Sequence, residues 1–471
     1  MKRLLAYVLL ILVFAHLTLA YSPFGSSERA DKYVQDLLNT YAGGWIYGAP
    51  QENITVLLLN DEALARHQRG HWPASYDFHG RVLNTLLNER PGAVFIDFLW
   101  LSRRPDASAD APRDGDYLIK VLQRYRRAGI PVYLASTPAV RQNWPELSGL
   151  VTHVAADLDI DYVDFVSRTY PPARHNMPTP AFQMARDNRP GLFPQSPAAP
   201  MDIFWGTLPN RKNMSWMVAD TREMGVVDVL TTGYSGARTS IPFNTTLYVR
   251  DLLHQVAATP EQARRDAAAF IKDKFVLYGA NLTGVNDLIF TPTRDILPGV
   301  YLHAMALDNL LHWGSGYKSA QGNGLLAQQG WHAAWSLLIV LPVALLLALF
   351  HRRPRASAGG STSPAPQATP LRPGVELPAS KLAAWRDQVW RFVDRHPLRG
   401  RLFIALALGC WFIGWGAIEF FWLDVSAATF VGYVEFLTLG FFLDKVGLAD
   451  WLIDDVLVPV RSACTRILRT R

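Results

Sequence analysis

Four apolar runs frame this chain and leave one long polar stretch between the first and the second. Leu4–Ala20, Ala333–Phe350, Leu402–Leu423 and Val425–Leu443 each reach the roughly 17 apolar residues that a membrane-crossing helix needs as a minimum. The chain therefore divides into four expected transmembrane α-helices and one large domain. Basic flanks set the orientation. Lys2 and Arg3 precede the first run, Arg352, Arg353 and Arg355 follow the second, and Arg399 and Arg401 precede the third. Positive flanks stay in the cytoplasm, so both termini are expected inside and residues 22–331 outside. Thr18-Leu19-Ala20 would also serve as a signal-peptidase site. The run is long for a signal peptide, and 1–21 is read as an uncleaved anchor.

The net charge of +6 does not point to nucleic acid. Residues 351–400 carry nine basic residues against three acidic ones, an excess equal to that of the whole chain. Positive-inside bias and attraction to anionic lipid account for it. Of the two cysteines, Cys410 lies in the third run and Cys464 in the tail. The external domain must rely on its own core, without disulfides or cysteine chemistry.

Within that domain strands and helices alternate. Ile54–Leu59, Ala93–Leu99, Ile130–Ala135 and Phe275–Gly279 read as strands, the last ending in a glycine turn. Asp77–Asn88, Asp116–Ala128, Pro260–Lys272 and Tyr301–Leu311 read as helices. This rhythm implies right-handed crossovers, hence an α/β domain with a largely parallel sheet covered by helices. Thr137–Thr259, rich in proline and aromatics, reads as long functional loops with a few short strands such as Val226–Leu230. After the second span (332–350), residues 351–379 form a Pro/Ser/Ala/Gly linker. Residues 380–397 form an amphipathic, tryptophan-bearing helix at the cytoplasmic interface, a run-in to the third span, or a docking element. Spans at 401–423 and 425–444 and an amphipathic tail, 445–471, complete the chain.

Most catalytic signatures are missing: H-E-x-x-H, G-x-S-x-G and Cys-x-x-Cys do not occur. Gly279 to Gly284 has the glycine spacing of a phosphate loop without its lysine, and serves instead as a tight exit from a strand. Polar residues at strand ends are more informative. Asp61 and Glu62 follow the first strand, Asp97 ends the second, and Asn281 and Thr283 follow the late strand. Open parallel sheets bind ligands beyond the carboxyl ends of their strands. If the strands are neighbours, Asp61, Asp97, Asn281 and Thr283 converge on a crevice suited to a cation, an amine or a hydroxyl-rich ligand. The alternative is structural: Asp61 caps the next helix and Asp97 satisfies loop amides. In the membrane segments, Glu419 and Glu435 lie at similar depth on consecutive spans, where they share a proton, contact a partner, or stand as passengers.

The stretch Phe275–Leu311 carries V-L-x-G-A, Asp, P-T, L-P-G-V-x-x-H-A-x-A-L-D-N-L-L in order. With the strands upstream, it resembles the CHASE2 domain, an extracytoplasmic sensor module of bacterial receptors, over roughly residues 35–311 and in the pattern of one span before and three after. Trp72-Pro73 also resembles the family's turn before its first helix. Trp72, Pro73, His303, Asp308 and Asn309 are read as structural. The resemblance implies a multi-pass inner-membrane protein with a large periplasmic domain and both termini cytoplasmic. It would bind an unknown periplasmic ligand and, as a possible homo-oligomer, signal through its helices. Family members usually carry a kinase or cyclase after the last span. Only 28 residues follow Leu443 here, so a separate cytoplasmic signalling protein is expected as partner, with no enzyme activity, cofactor, metal or nucleic acid. The alternatives are a non-sensing scaffold that anchors a partner protein, and a periplasmic hydrolase using Asp61 and Asp97.

Overall fold

Seven consecutive residues without helical spacing make Ile54–Asn60 a strand, and burial on both faces makes it a central one: Ile54, Val56, Leu57 and Leu59 are fully buried. The computed structural model describes residues 46–102, 114–138, 144–155, 164–192, 199–206, 242–254 and 268–319 apart from 49, 286, 294 and 295, with single residues between 32 and 40 and at 210, 213, 410, 411 and 414. No described helix is long and apolar enough to cross a membrane. The four apolar runs lie outside the described residues apart from Cys410, Trp411 and Gly414. So do the linker 351–379, the helix 380–397, the tail 445–471, the expected strand Val226–Leu230, Glu419 and Glu435.

Six strands follow in chain order: β1 (Ile54–Asn60), β2 (Ala93–Ile96), β3 (Val132–Ser136), β4 (Thr152–Ala155), β5 (Thr245–Tyr248) and β6 (Phe275–Asn281). They form one sheet in the order β4-β3-β2-β6-β1-β5, with every pairing parallel. The helices α1 (Asp61–Gln68), α2 (Tyr76–Asn88), α3 (Asp116–Arg127), α4 (Pro180–Asn188), α5 (Val249–His254) and α6 (Val300–Trp313) cover it. α2, α3 and α5 pack on one face; α4 and α6 pack together on the other. The expected α/β, largely parallel architecture is present.

Local chemistry explains the elements that matter most. Ser75 Oγ accepts from Phe78 N at 3.2 Å and starts α2, whose face Phe78, Val82, Leu83 and Leu86 enters the core. α3 buries Leu118, Val121, Leu122 and Tyr125, and the Tyr125 hydroxyl donates to Leu83 O at 2.7 Å, joining the two helices.

Several boundaries differ from the sequence reading. β2 ends at Ile96 rather than Leu99, because Phe98 and Trp100 turn into an aromatic cluster with His79, Tyr76 and Trp144. β3 begins at Val132 because Gly129 turns the chain at φ +69°. Trp72 is 40 % exposed and only flanks Phe98, so it is a weaker packing anchor than expected. The supposed loops of Thr137–Thr259 contribute both edge strands, β4 and β5, as well as α4. β5 is threonine-rich, and polar partners satisfy it. Asn213 accepts from Thr246 N at 2.9 Å and donates to Asn244 O at 2.9 Å, which blunts the sheet edge.

Gly279 is the clearest correction. It does not turn the chain but sits inside β6 opposite Leu58. A Cβ there would lie 2.6 Å from Cβ of Val300. At Gly299, a Cβ would lie 2.5 Å from Asp287 Oδ1. Two parts of the Phe275–Leu311 pattern thus interlock: the glycine of V-L-x-G-A receives the valine of L-P-G-V, and the glycine of L-P-G-V makes room for the intervening aspartate. At its other end α6 is held by a buried polar knot. Asp308 accepts from the Tyr47 hydroxyl at 2.5 Å, Gln51 N at 3.0 Å and Asn244 Nδ2 at 3.2 Å. Asn309 brackets Phe204 through its N and O atoms. The structural reading of Asp308 and Asn309 holds.

Gly279→Ala should destabilise the domain by about 1–3 kcal/mol through overpacking. Val300→Ala added to it should recover part of that loss, in chemical denaturation of the full chain in detergent micelles. Losses that simply add would mean that the two residues do not share this space.

Candidate functional site

β1 and β6 end side by side at Asn60 and Asn281, beyond the point where β2 has left the sheet. Around them opens a cavity of about 650 Å³, whose lining includes Asn60, Asp61, Glu62, Tyr248, Asn281 and Thr283 together with Leu282, Val285 and Leu288. It lies at the carboxyl ends of three adjacent parallel strands, β5, β1 and β6, where such sheets bind ligands.

Of the residues expected there, Asp61, Asn281 and Thr283 come together. Asp61 accepts from Thr283 Oγ1 at 2.7 Å and from Thr283 N at 3.1 Å, which tethers the loop leaving β6. Helix capping falls instead to Asn60, whose Oδ1 accepts from Ala63 N at 3.1 Å. Glu62 is shared between Arg66, at 2.8 Å, and Arg250. Asn281 is exposed, and its side-chain amide bonds to no described residue.

Asp97 does not line this cavity. Its backbone N–H continues the β2–β6 ladder one step by donating to Tyr278 O at 2.8 Å, which sets Asp97 beside Gly279, two residues short of Asn281. That is a recess of roughly 6.6 Å at strand rise. Its carboxylate sits against α6, with His303 Nε2 3.8 Å from Oδ1. The imidazole is buried edge-on against Phe95, and its Nδ1 lies 2.7 Å from the Tyr170 hydroxyl, which accepts from Ala181 N at 3.2 Å. The two ring nitrogens thus face different partners, Nδ1 the Tyr170 hydroxyl and Nε2 the Asp97 carboxyl. Burial lowers the His303 pKa to about 3, so the ring is neutral. The structural role expected of His303 fits these contacts.

A second acid completes the cluster. Burial raises the pKa of Asp287 to about 6, and burial together with the charge of Asp287 raises that of Asp97 well above the usual carboxylate range. The sequence reading passed over Asp287. Its place between V-L-x-G-A and P-T was the available signal. Tyr248 was also passed over, because its strand was taken for loop. Among the described residues, no group of three or more His, Cys, Asp or Glu side chains is placed to hold a metal ion.

The fold and this site describe a parallel α/β domain with a polar cavity at its strand ends. The CHASE2 domain family model matches residues 8–349, from inside the first apolar run to the end of the second. The chain belongs to the CHASE2 family, whose members are extracellular sensory domains. The match extends beyond the 35–311 of the sequence reading to include both flanking apolar runs. Neither curated proteins nor solved structures gave a match.

The acid pair fixes a pH dependence. A folded-state pKa above the unfolded value means that the folded chain binds the proton more tightly. His303 contributes stability that is full above about pH 6.5 and is lost as the pH falls toward about 3, whereas Asp287 contributes stability that is fully present below about pH 4 and is lost as the pH rises through about 6. Asp308, whose pKa burial also raises to about 6, adds to the Asp287 trend. Asp287→Asn, a neutral mimic of the protonated acid, should remove the Asp287 share of this dependence, up to about 1.4 kcal/mol per pH unit between about pH 4 and 6. Denaturant midpoints of the full chain across that range measure it. An unchanged slope would remove Asp287 from the titration.

Proposed function

We propose that this protein is a multi-pass inner-membrane receptor of a bacterium, without enzyme activity of its own. Its external domain binds a small molecule in the cavity of Asp61, Asn281 and Thr283 and passes the change through the transmembrane helices to separate cytoplasmic proteins. The observation that carries this reading is the cavity at the ends of β5, β1 and β6 in a domain of a sensory family. The basic flanks of the apolar runs support the topology. A periplasmic reporter fused at Ser196 should be active and a cytoplasmic one silent, with the reverse at Gly360. The opposite pattern at either position overturns the orientation.

A small-molecule panel tests the sensing role against a scaffold. A compound that raises the melting temperature of the full chain should lose that effect in Asn281→Ala, with the unliganded melting temperature unchanged. A scaffold predicts no stabilising compound and a protein that co-purifies through the external domain. The hydrolase reading gains no support from this cavity, which Asp61 lines and Asp97 does not.

Glu419 and Glu435 enter this proposal as a polar contact that holds the last two spans in one of two arrangements. Replacing both by Leu should alter assembly or partner output far more than replacing both by Gln. Equal behaviour of the two double variants and the parent would make the hairpin an anchor only.

A further inference from the structure

The cavity's chemistry is unbalanced. Two of its lining residues, Asp61 and Glu62, are acids, and none is Lys, Arg or His. Glu62 has cationic partners in Arg66 and Arg250. Asp61 has none among the described residues: exposed in the first turn of α1, it contacts the backbone N–H and hydroxyl of Thr283. Beside it stand the unengaged amide of Asn281 and the ring of Tyr248, whose hydroxyl burial keeps protonated. The remaining wall includes Leu282, Val285 and Leu288, the last 47 % exposed.

Resting on the reading of this cavity as the ligand site, we infer that it takes a small organic ammonium compound, an amine with a short hydrocarbon body. The ammonium supplies a cationic partner for Asp61, through a charge-assisted hydrogen bond. Asn281 Oδ1 accepts a further N–H, and the Tyr248 ring offers its face to the cation. The hydrocarbon lies on Leu282, Val285 and Leu288. A carboxylate or phosphate meets two acids and no lining cation, so the local potential opposes it. A purely hydroxylated ligand satisfies Asn281 but gives Asp61 no cationic partner.

Three probes of matched length separate these classes: 1,4-diaminobutane, 1,4-butanediol and succinate, titrated calorimetrically into the full chain in nanodiscs. The diamine should bind, and the diol and succinate should bind at least tenfold more weakly. Asp61→Asn keeps an acceptor for Thr283 while removing the charge, and should weaken diamine binding about tenfold or more. Asn281→Asp adds a charge beside it and should strengthen diamine binding, an outcome that a merely structural role for Asn281 does not produce. Diol or succinate binding as well as the diamine, and losing affinity in Asn281→Ala, would overturn the ammonium class and leave the cavity as ligand site. Diamine binding indifferent to both charge variants would overturn the proposal, as would the absence of any diamine binding. If in that last case another compound of the wider panel still depends on Asn281, the site stands without the amine.

Discussion

The seven-residue ladder between β1 and β6 is the contact on which the rest of the domain depends. It sets Ile54 beside Phe275 and Asn60 beside Asn281, closing more than two hundred residues of chain in one register. Because the pairing is parallel, no hairpin could make it, and the intervening chain must supply crossovers over both faces. The entropy of closing so long a loop grows only slowly with its length. Its return comes from two buried strands and from the helix that follows the second. Breaking the register by one residue would turn Leu57 and Leu59 out of the α2–α3 core. It would also separate Asp61 from Thr283 and remove Gly279 from beneath Val300. The fold and the candidate site are therefore set by the same pairing.

A periodic sequence reveals elements whose burial is simple. β1 and β6 are continuous apolar runs, and α2 and α3 show clean stripes, so all four could be read from the chain with errors of a few residues. What could not be read was burial achieved by polar pairing. β5 is Thr245-Thr246-Leu247-Tyr248, with both threonines buried; it pairs with β1 on one side, and Asn210 and Asn213, about thirty residues earlier, bond to it. No hydropathy pattern carries that information. Gly279 misled for a related reason, since a glycine inside a strand and a glycine at a turn are the same letter until the partner residue is known. Here the partner, Val300, lies 21 positions on.

The site was half legible for a geometric reason. The rule that ligands lie beyond strand ends directed attention to Asp61, Asn281 and Thr283, and these do converge. It also drew in Asp97, on the assumption that neighbouring strands end level. They do not, because the aromatic residues Phe98 and Trp100 draw the chain out of the sheet after Ile96. Asp97 therefore falls under the first turns of α6, beside Asp287 and His303. The same carboxylate that seemed part of one cavity belongs to a separate acid pair across the loop that leaves β6.

That loop is the shared wall of the two clusters, and α6 continues from it. Thr283 is tied to Asp61 on the cavity side, and Asp287 accepts from Gly299 N through its backbone carbonyl at 2.9 Å on the helix side. Thr283 and Asp287 are four positions apart, so the two tethers hold one short stretch of chain. From Val300, α6 reaches the knot of Asp308, Tyr47 and Gln51 eight residues on, about 12 Å at helical rise. Val300 seated on Gly279 and Asp308 locked by three donors leave the helix little freedom to bend. Close-packed contacts of this kind favour discrete over graded rearrangement. The knot joins the segment entering the domain to the helix leaving it, and these are the two places where the chain runs toward its flanking apolar stretches.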